Sequence, residues 1–239
     1  MVVMKKGNFY VFDTMTTDGD IVPTATIYQN LKHIVEDPSP PPKFPVAALT
    51  TENRDTWANI RRALQAEPGN EEALRLIDSA IFVLCLDDHG VESVADVTRT
   101  FLHGDGTNSL DICFDKSFQL VVCNDGKAAV NFEHAWGDGV AVLRFFNSFV
   151  RKSRTIFLIF SINRLVLCEH FDLAVYKDTT TRPSCTAAAS AKNLSADVTV
   201  RKLEFTFTPE TERGISAAKE KFDNTIKGLD IAEMQVLQH

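Results

Sequence analysis

The period of the apolar positions changes several times along this chain, and each change marks an element. Phe9-Tyr10-Val11-Phe12 is a short unbroken apolar run that predicts a strand, whereas Ile27, Leu31 and Ile34 share one side of a predicted helix over about 27–35. Pro38, Pro40, Pro41, Pro42 and Pro45 cannot sit inside a regular helix, so a loop follows. Val46 to Leu49 then reads as a strand. Thr50 or Thr51 is expected to cap a helix carrying Trp57, Ile60 and Leu64, and another helix begins near Asn70 with acids in its first turn.

Ile81 to Leu86 is continuously apolar and ends at Asp87-Asp88, the pattern of a strand buried on both faces of a parallel or mixed sheet. Ser117 to Cys123 and Ala128 to Phe132 flank Asn124-Asp125-Gly126, which predicts a hairpin. The second hairpin strand ends at Glu133-His134, and a glycine-rich turn leads into a helix over Val140 to Phe149. His134 is thereby placed at a strand end, where a side chain can face a cleft.

Residues 151–175 crowd apolar side chains where the surrounding pattern expects a loop. About twelve residues separate Thr155 from Cys168, and Arg164 interrupts them; a membrane span needs roughly twenty. Thr179 to Asp197 is rich in Thr, Ser and Ala and reads as a flexible surface segment. A strand through Val198, Val200, Leu203, Phe205 and Phe207 and a helix from about Glu210 to Lys227 complete the pattern. Helices alternating with strands, and no internal repeat, predict a layered α/β domain with a mixed sheet.

Composition narrows the function. The 239 residues, 44% of them hydrophobic, suffice for one sizeable domain or for part of a larger one. Lys and Arg total 25 against 32 for Asp and Glu, a net charge of -7 without any long basic block, which disfavours nucleic acid as a partner. The five cysteines are scattered, show no close pair at metal-ligand spacing, and are odd in number, which fits a reducing compartment. The first residues carry neither an apolar signal core nor an Arg/Ser-rich transit helix, so any import address is expected upstream.

Phe132-Glu133-His134-Ala135-Trp136-Gly137-Asp138-Gly139 is the stretch richest in candidate chemistry. An imidazole held in one tautomer by a carboxylate can take a proton from a hydroxyl or a thiol. A histidine hydrogen-bonded for structural reasons has the same spacing, and periodicity does not separate the two. Leu102-His103-Gly104-Asp105-Gly106-Thr107-Asn108 also joins His, Asp and Gly but lacks phosphate-loop spacing, and its default role is a turn after a helix. Gly137 and Gly139 do not continue into a dinucleotide fingerprint, and no serine sits in a nucleophile elbow.

Several longer words stand in the order found in one family. They are Lys6 to Asp13, Leu49-Thr50-Thr51-Glu52-Asn53-Arg54-Asp55-Thr56-Trp57, Leu102 to Asn108, Phe114-Asp115-Lys116-Ser117, Phe132 to Phe146, and Gly214-Ile215-Ser216-Ala217-Ala218-Lys219-Glu220-Lys221-Phe222-Asp223. In them the chain resembles the choline/carnitine acyltransferase family, nearest its mitochondrial, palmitoyl-transferring branch. The resemblance covers nearly all of 4–150 and roughly 176–235. It divides the chain into a partial acyltransferase domain over 1–150, an unmatched apolar insertion over 151–175, and a truncated continuation over 176–239.

The resemblance implies a chloramphenicol-acetyltransferase-like fold of two α/β halves with the active site between them. It implies reversible transfer of long-chain acyl groups between coenzyme A and carnitine, in mitochondrial fatty acid oxidation, on the matrix side of the inner membrane with peripheral attachment. Acyl-coenzyme A and carnitine would be substrates, with no bound cofactor and no metal. By position, His134 would be the catalytic base and Asp138 the acid that orients its imidazole. Ser109-Leu110-Asp111-Ile112-Cys113 stands where the family usually has Arg-Trp. The family's second half, with its carnitine-carboxylate and oxyanion groups, lies beyond these residues. The expectation is therefore an internal piece that turns over little or not at all by itself, or an isoform with at most an interaction role.

Overall fold

The computed structural model describes residues 1–104, 113–135, 137–149, 156–160, 164–170 and 199–229. Eight strands form one mixed sheet: β1 (Val2–Lys5), β2 (Asn8–Val11), β3 (Val83–Asp87), β4 (Phe118–Cys123), β5 (Lys127–Glu133), β6 (Ile156–Phe160), β7 (Arg164–His170) and β8 (Arg201–Lys202). Their order is β6-β7-β5-β4-β3-β1-β2-β8. β1, β3 and β4 run parallel, and every other neighbouring pair is antiparallel. Central β3 lies between two parallel partners, which is why its sequence is apolar on both faces rather than alternating.

One face of the sheet is covered by α1 (Thr24–Glu36), whose Ile34 is buried with Ile27 and Leu31 beside it against Val3, Tyr10 and Leu84. α5 (Gly139–Phe149) covers the same face further along, burying Val142 against Val130 and Phe132. The opposite face carries α2 (Arg54–Gln65), α3 (Asn70–Ser79), α4 (Val94–His103) and α6 (Pro209–Lys227), which bury Trp57, Leu64, Leu74, Ile77, Phe101 and Ile215 in one core with Met4, Val83, Cys85 and Val121. The alternation Val2/Met4 against Val3 on β1 divides these two cores, as a period of two requires.

The hairpin forms as the sequence predicts. Its three-residue loop places Gly126 at φ 86°, where a side chain would be strained, and the Asp125 carboxylate accepts from the N–H groups of Lys127 at 3.1 Å and Val91 at 3.0 Å. Two predicted strands are corrected. Val46–Thr51 is a 3-10 turn, because the Thr50 and Thr51 hydroxyls donate back to the Ala47 and Ala48 carbonyls at 2.7 and 2.8 Å. Val46 to Thr50 are buried and the turn packs against α6, and Asn53, not a threonine, caps α2 through the Asp55 N–H at 3.0 Å.

Of the strand expected through Val198 to Phe207, Val198 lies outside the described residues, and among the rest only Arg201 and Lys202 are strand. After Leu203 donates to the Phe9 carbonyl at 2.8 Å, the backbone of Thr206 is taken by a side chain: Asn70 donates to its carbonyl at 2.7 Å and accepts its N–H at 2.9 Å. Those bonds replace a ladder, while Phe205 and Phe207 still pack on the core. The apolar crowding within 151–175 contains β6 and β7, which extend the sheet beyond β5 in register from Lys127↔His170 to Glu133↔Arg164. The Thr179–Asp197 segment lies outside the described residues. No helix among the described residues is long and apolar enough to cross a membrane.

Candidate functional site

β5 delivers His134. The strand is antiparallel to β4, so His134 emerges beside the start of β4, at the amino ends of the three parallel strands. The Glu133 N–H donates to the Ser117 carbonyl at 2.9 Å, the last bond of that ladder, and the chain then turns away. The His134 side chain is exposed, and its imidazole lies beside Phe132 as a strongly offset, near-parallel pair, with ring centroids 6.3 Å apart and 26° between planes. The glycine-rich turn ends at Asp138, whose carbonyl accepts the Val142 N–H at 3.2 Å and whose carboxylate accepts the Val140 N–H at 3.4 Å. Asp138 is thus the residue that opens α5, and its negative charge sits where the helix dipole favours it.

His134 and Asp138 stand on either side of one turn, both exposed, and no hydrogen bond or ion pair joins them. Trp136, between them, lies outside the described residues, as do 105–112 of the His-Gly-Asp-Gly segment. His103, the last residue of α4, is buried: its Nδ1 meets the Gly104 carbonyl at 2.6 Å, and its Nε2 is buried with no partner. Burial holds its pKa below the usual 6.5, so it points inward as a neutral ring rather than toward the exposed turn.

Three of the sequence words meet next to the His134 turn. Asp115 accepts from Arg54 at 2.8 Å and from the Trp57 indole at 2.5 Å, and the Thr50 hydroxyl accepts the Phe114 N–H at 3.0 Å. A shallow groove runs between them, lined by Thr50, Arg54, Phe114, Ser117, Glu133 and Ala135. Lys116 is not available to a ligand there. Its ammonium donates at 2.8 Å to both the Asp78 and Ala80 carbonyls at the end of α3, and burial lowers its pKa. Among the described residues, no three His, Cys, Asp or Glu side chains gather as a metal site would require.

Sequence reasoning overlooked the buried amides that hold this region. Gln119 and Asn131 are direct cross-strand partners on β4 and β5, both fully buried on the α4 side. Asn131 donates to the Phe101 and Leu102 carbonyls at 3.0 and 3.2 Å, serving the last turn of α4, while Gln119 accepts the Cys113 N–H at 2.9 Å. The signal was present: a polar residue at an inward position of both strands of a hairpin is an exception to the alternation that predicted the hairpin.

Comparison with known proteins fits this arrangement. The family model described as choline/carnitine O-acyltransferase matches residues 1–238. The mitochondrial carnitine O-palmitoyltransferase 2 of Macaca fascicularis is 46% identical over 235 residues, covering 98% of this chain and 31% of its own length. The human protein of the same name is 46% identical over 231 residues, covering 97% and 30%. A putative mitochondrial carnitine O-acetyltransferase of Saccharomyces cerevisiae is 34% identical, covering 86% and 32%. The chain therefore spans about 31% of the length of the palmitoyltransferases it matches. With its His-bearing strand end, its turn and its ordered words all inside the matched range, the chain belongs to the choline/carnitine O-acyltransferase family.

Proposed function

We propose that this chain is the base-bearing part of a mitochondrial carnitine O-acyltransferase of the long-chain type, acting at the matrix side of the inner membrane, with palmitoyl-coenzyme A and carnitine as substrates. In this reading its sheet belongs to one of the two halves of a chloramphenicol-acetyltransferase-like fold. The observation that carries it is His134, exposed just past a strand end and inside the range matched by the family model. The palmitoyl preference is supported by 46% identity to palmitoyltransferases against 34% to the carnitine acetyltransferase and 29% to the choline O-acetyltransferase of Drosophila melanogaster.

His134 takes the proton of the carnitine hydroxyl as that oxygen attacks the thioester carbonyl. The tetrahedral intermediate collapses with loss of the coenzyme A thiolate, which recovers the proton from the imidazolium; the reverse reaction begins by deprotonating the thiol. Asp138 would orient the imidazole by giving up its long 3.4 Å bond to Val140. Coenzyme A is a cosubstrate in this scheme, and nothing is held between turnovers.

A second reading has its own support: at 31% of the relatives' length, the chain accounts for only part of such a machine, and a preorganised oxyanion site would have to come from elsewhere. The test is carnitine-dependent release of free thiol from palmitoyl-coenzyme A by the purified chain, beside His134→Ala and Asp138→Asn. Transfer abolished by His134→Ala and lowered roughly 10²–10⁴-fold by Asp138→Asn supports the enzyme. Equal, background release from all three supports the non-catalytic piece.

A further inference from the structure

We propose that Phe132 is a positioning residue for His134, a ring that fixes the imidazole where the backbone no longer can. The inference rests on the reading of His134 as a base, and it starts from a problem of freedom. Beyond the Glu133 to Ser117 bond the ladder stops, and His134 stands in a turn with its side chain exposed. An exposed imidazole there can occupy several χ1 wells, of which a general base can use one. Asp138 does not restrain it, because no hydrogen bond or ion pair links the two, and among the described residues Phe132 is the one ring that stacks on it.

Phe132 is the next-to-last residue of β5, within ring contact of His134. β5 ends at Glu133, and the turn that follows leaves the His134 imidazole beside the ring two residues back. Phe132 is itself immobilised: it is fully buried, paired across to Phe118 on β4 and to Leu165 on β7, and packed in one cluster with Val130 and Val142. Val142 belongs to the first turn and a half of the helix that Asp138 opens. The Phe132 ring therefore neighbours both the imidazole and the Asp138-bearing helix. A near-parallel offset pair at 6.3 Å is within the range where aromatic contacts are attractive beyond the area they bury.

Phe132→Met keeps the volume and apolar character of the core and removes the ring. Phe118→Leu is the control, since Phe118 lies in the same cluster but stacks on Phe82 and meets Phe145 edge-to-face. The first readout is the imidazole proton resonances of the full chain, with His134 assigned by its loss in His134→Ala. A ring-current displacement of the His134 signals that disappears in Phe132→Met, persists in Phe118→Leu and leaves the other five histidines in place is the expected result. Undisplaced His134 signals in the unaltered chain, or a displacement that survives Phe132→Met, overturn the proposal.

The second readout is thiol release. The expected change in Phe132→Met is a roughly two- to tenfold fall in kcat, with KM for carnitine unchanged, restored by Phe132→Trp. An active chain that keeps its full kcat with Met at 132 also overturns the proposal. A chain inactive in every form removes the acyl-transfer reading instead, and the resonance measurement then decides the positioning role separately.

Discussion

His103 shows how a single residue type acquires its behaviour from where it is placed. Its ring closes α4 with Nδ1 directed at the Gly104 carbonyl, and its Nε2 is buried with no hydrogen-bond partner among the described residues. Protonation would put a charge on that buried nitrogen, which is why burial lowers the pKa from 6.5. The folded chain therefore binds this proton less readily than the unfolded chain. The resulting stability is fully present above about pH 6.5 and is lost as pH falls toward the lowered folded pKa. The urea midpoint of the chain should fall between about pH 7.5 and about pH 5.5, and His103→Phe should shrink that fall. The depressed carboxyls of Asp96 and Asp125 contribute only further toward acid, since their ordinary value is 3.8. The sequence displayed His103 and His134 with comparable motifs around them; it could not say that one ring is dry and the other wet, because each is decided by what packs across the sheet.

At the scale of elements, local chemistry sets boundaries where it is self-contained and loses them where a distant partner competes. Ser93 and Asp96 cap α4 reciprocally, and Thr208 with Pro209 starts α6; both ends are determined by neighbours within three residues. The apolar runs Val46–Leu49 and Val198–Phe207 do not give the strands they predict, because the partners that replace a ladder, nearby threonine hydroxyls in one case and Asn70 in the other, carry no period. Packing between helices adds a constraint of the same kind at Gly214. A Cβ there would lie 2.9 Å from Ile60 Cδ1 and 3.3 Å from its Cγ atoms, so the whole side chain on α2 would have to move. Alanine within a helix normally stabilises by about 0.5–1 kcal/mol relative to glycine, but overpacking costs roughly 1–3 kcal/mol. Gly214→Ala should thus destabilise by about 1 kcal/mol in urea unfolding, and Ile60→Val in the same chain should recover part of the loss.

The whole molecule turns on the order of its strands. Pairing β4 to β3 in parallel and to β5 in antiparallel brings the Leu49–Trp57 and Phe114–Ser117 words beside the His134 turn, though 60 or more residues separate Arg54 from Asp115 along the chain. At the far edge, β6 presents Ile156-Phe157-Leu158-Ile159-Phe160, without a charge or proline, and among the described residues no strand pairs with its outer side. Such an edge is a template for another strand. The purified chain should self-associate with rising concentration in sedimentation velocity, and Leu158→Lys should reduce that association while leaving the far-ultraviolet circular dichroism unchanged; unaltered association would assign it to another surface.

The sequence by itself determined most of the helices, the apolar central strand, the hairpin about Asp125-Gly126, the family words and the place of His134 just past a strand end. Those are properties of short spacing: period, turn chemistry and residue identity within a few positions. Tertiary structure alone decided that Asn131 and Gln119 face each other under α4, that Asp115 gathers Arg54 and Trp57, and that the buried Phe132 ring lies beside His134. Each of these depends on which strands are neighbours and in what register, and register is set by the summed burial of both sheet faces rather than by any local run of residues.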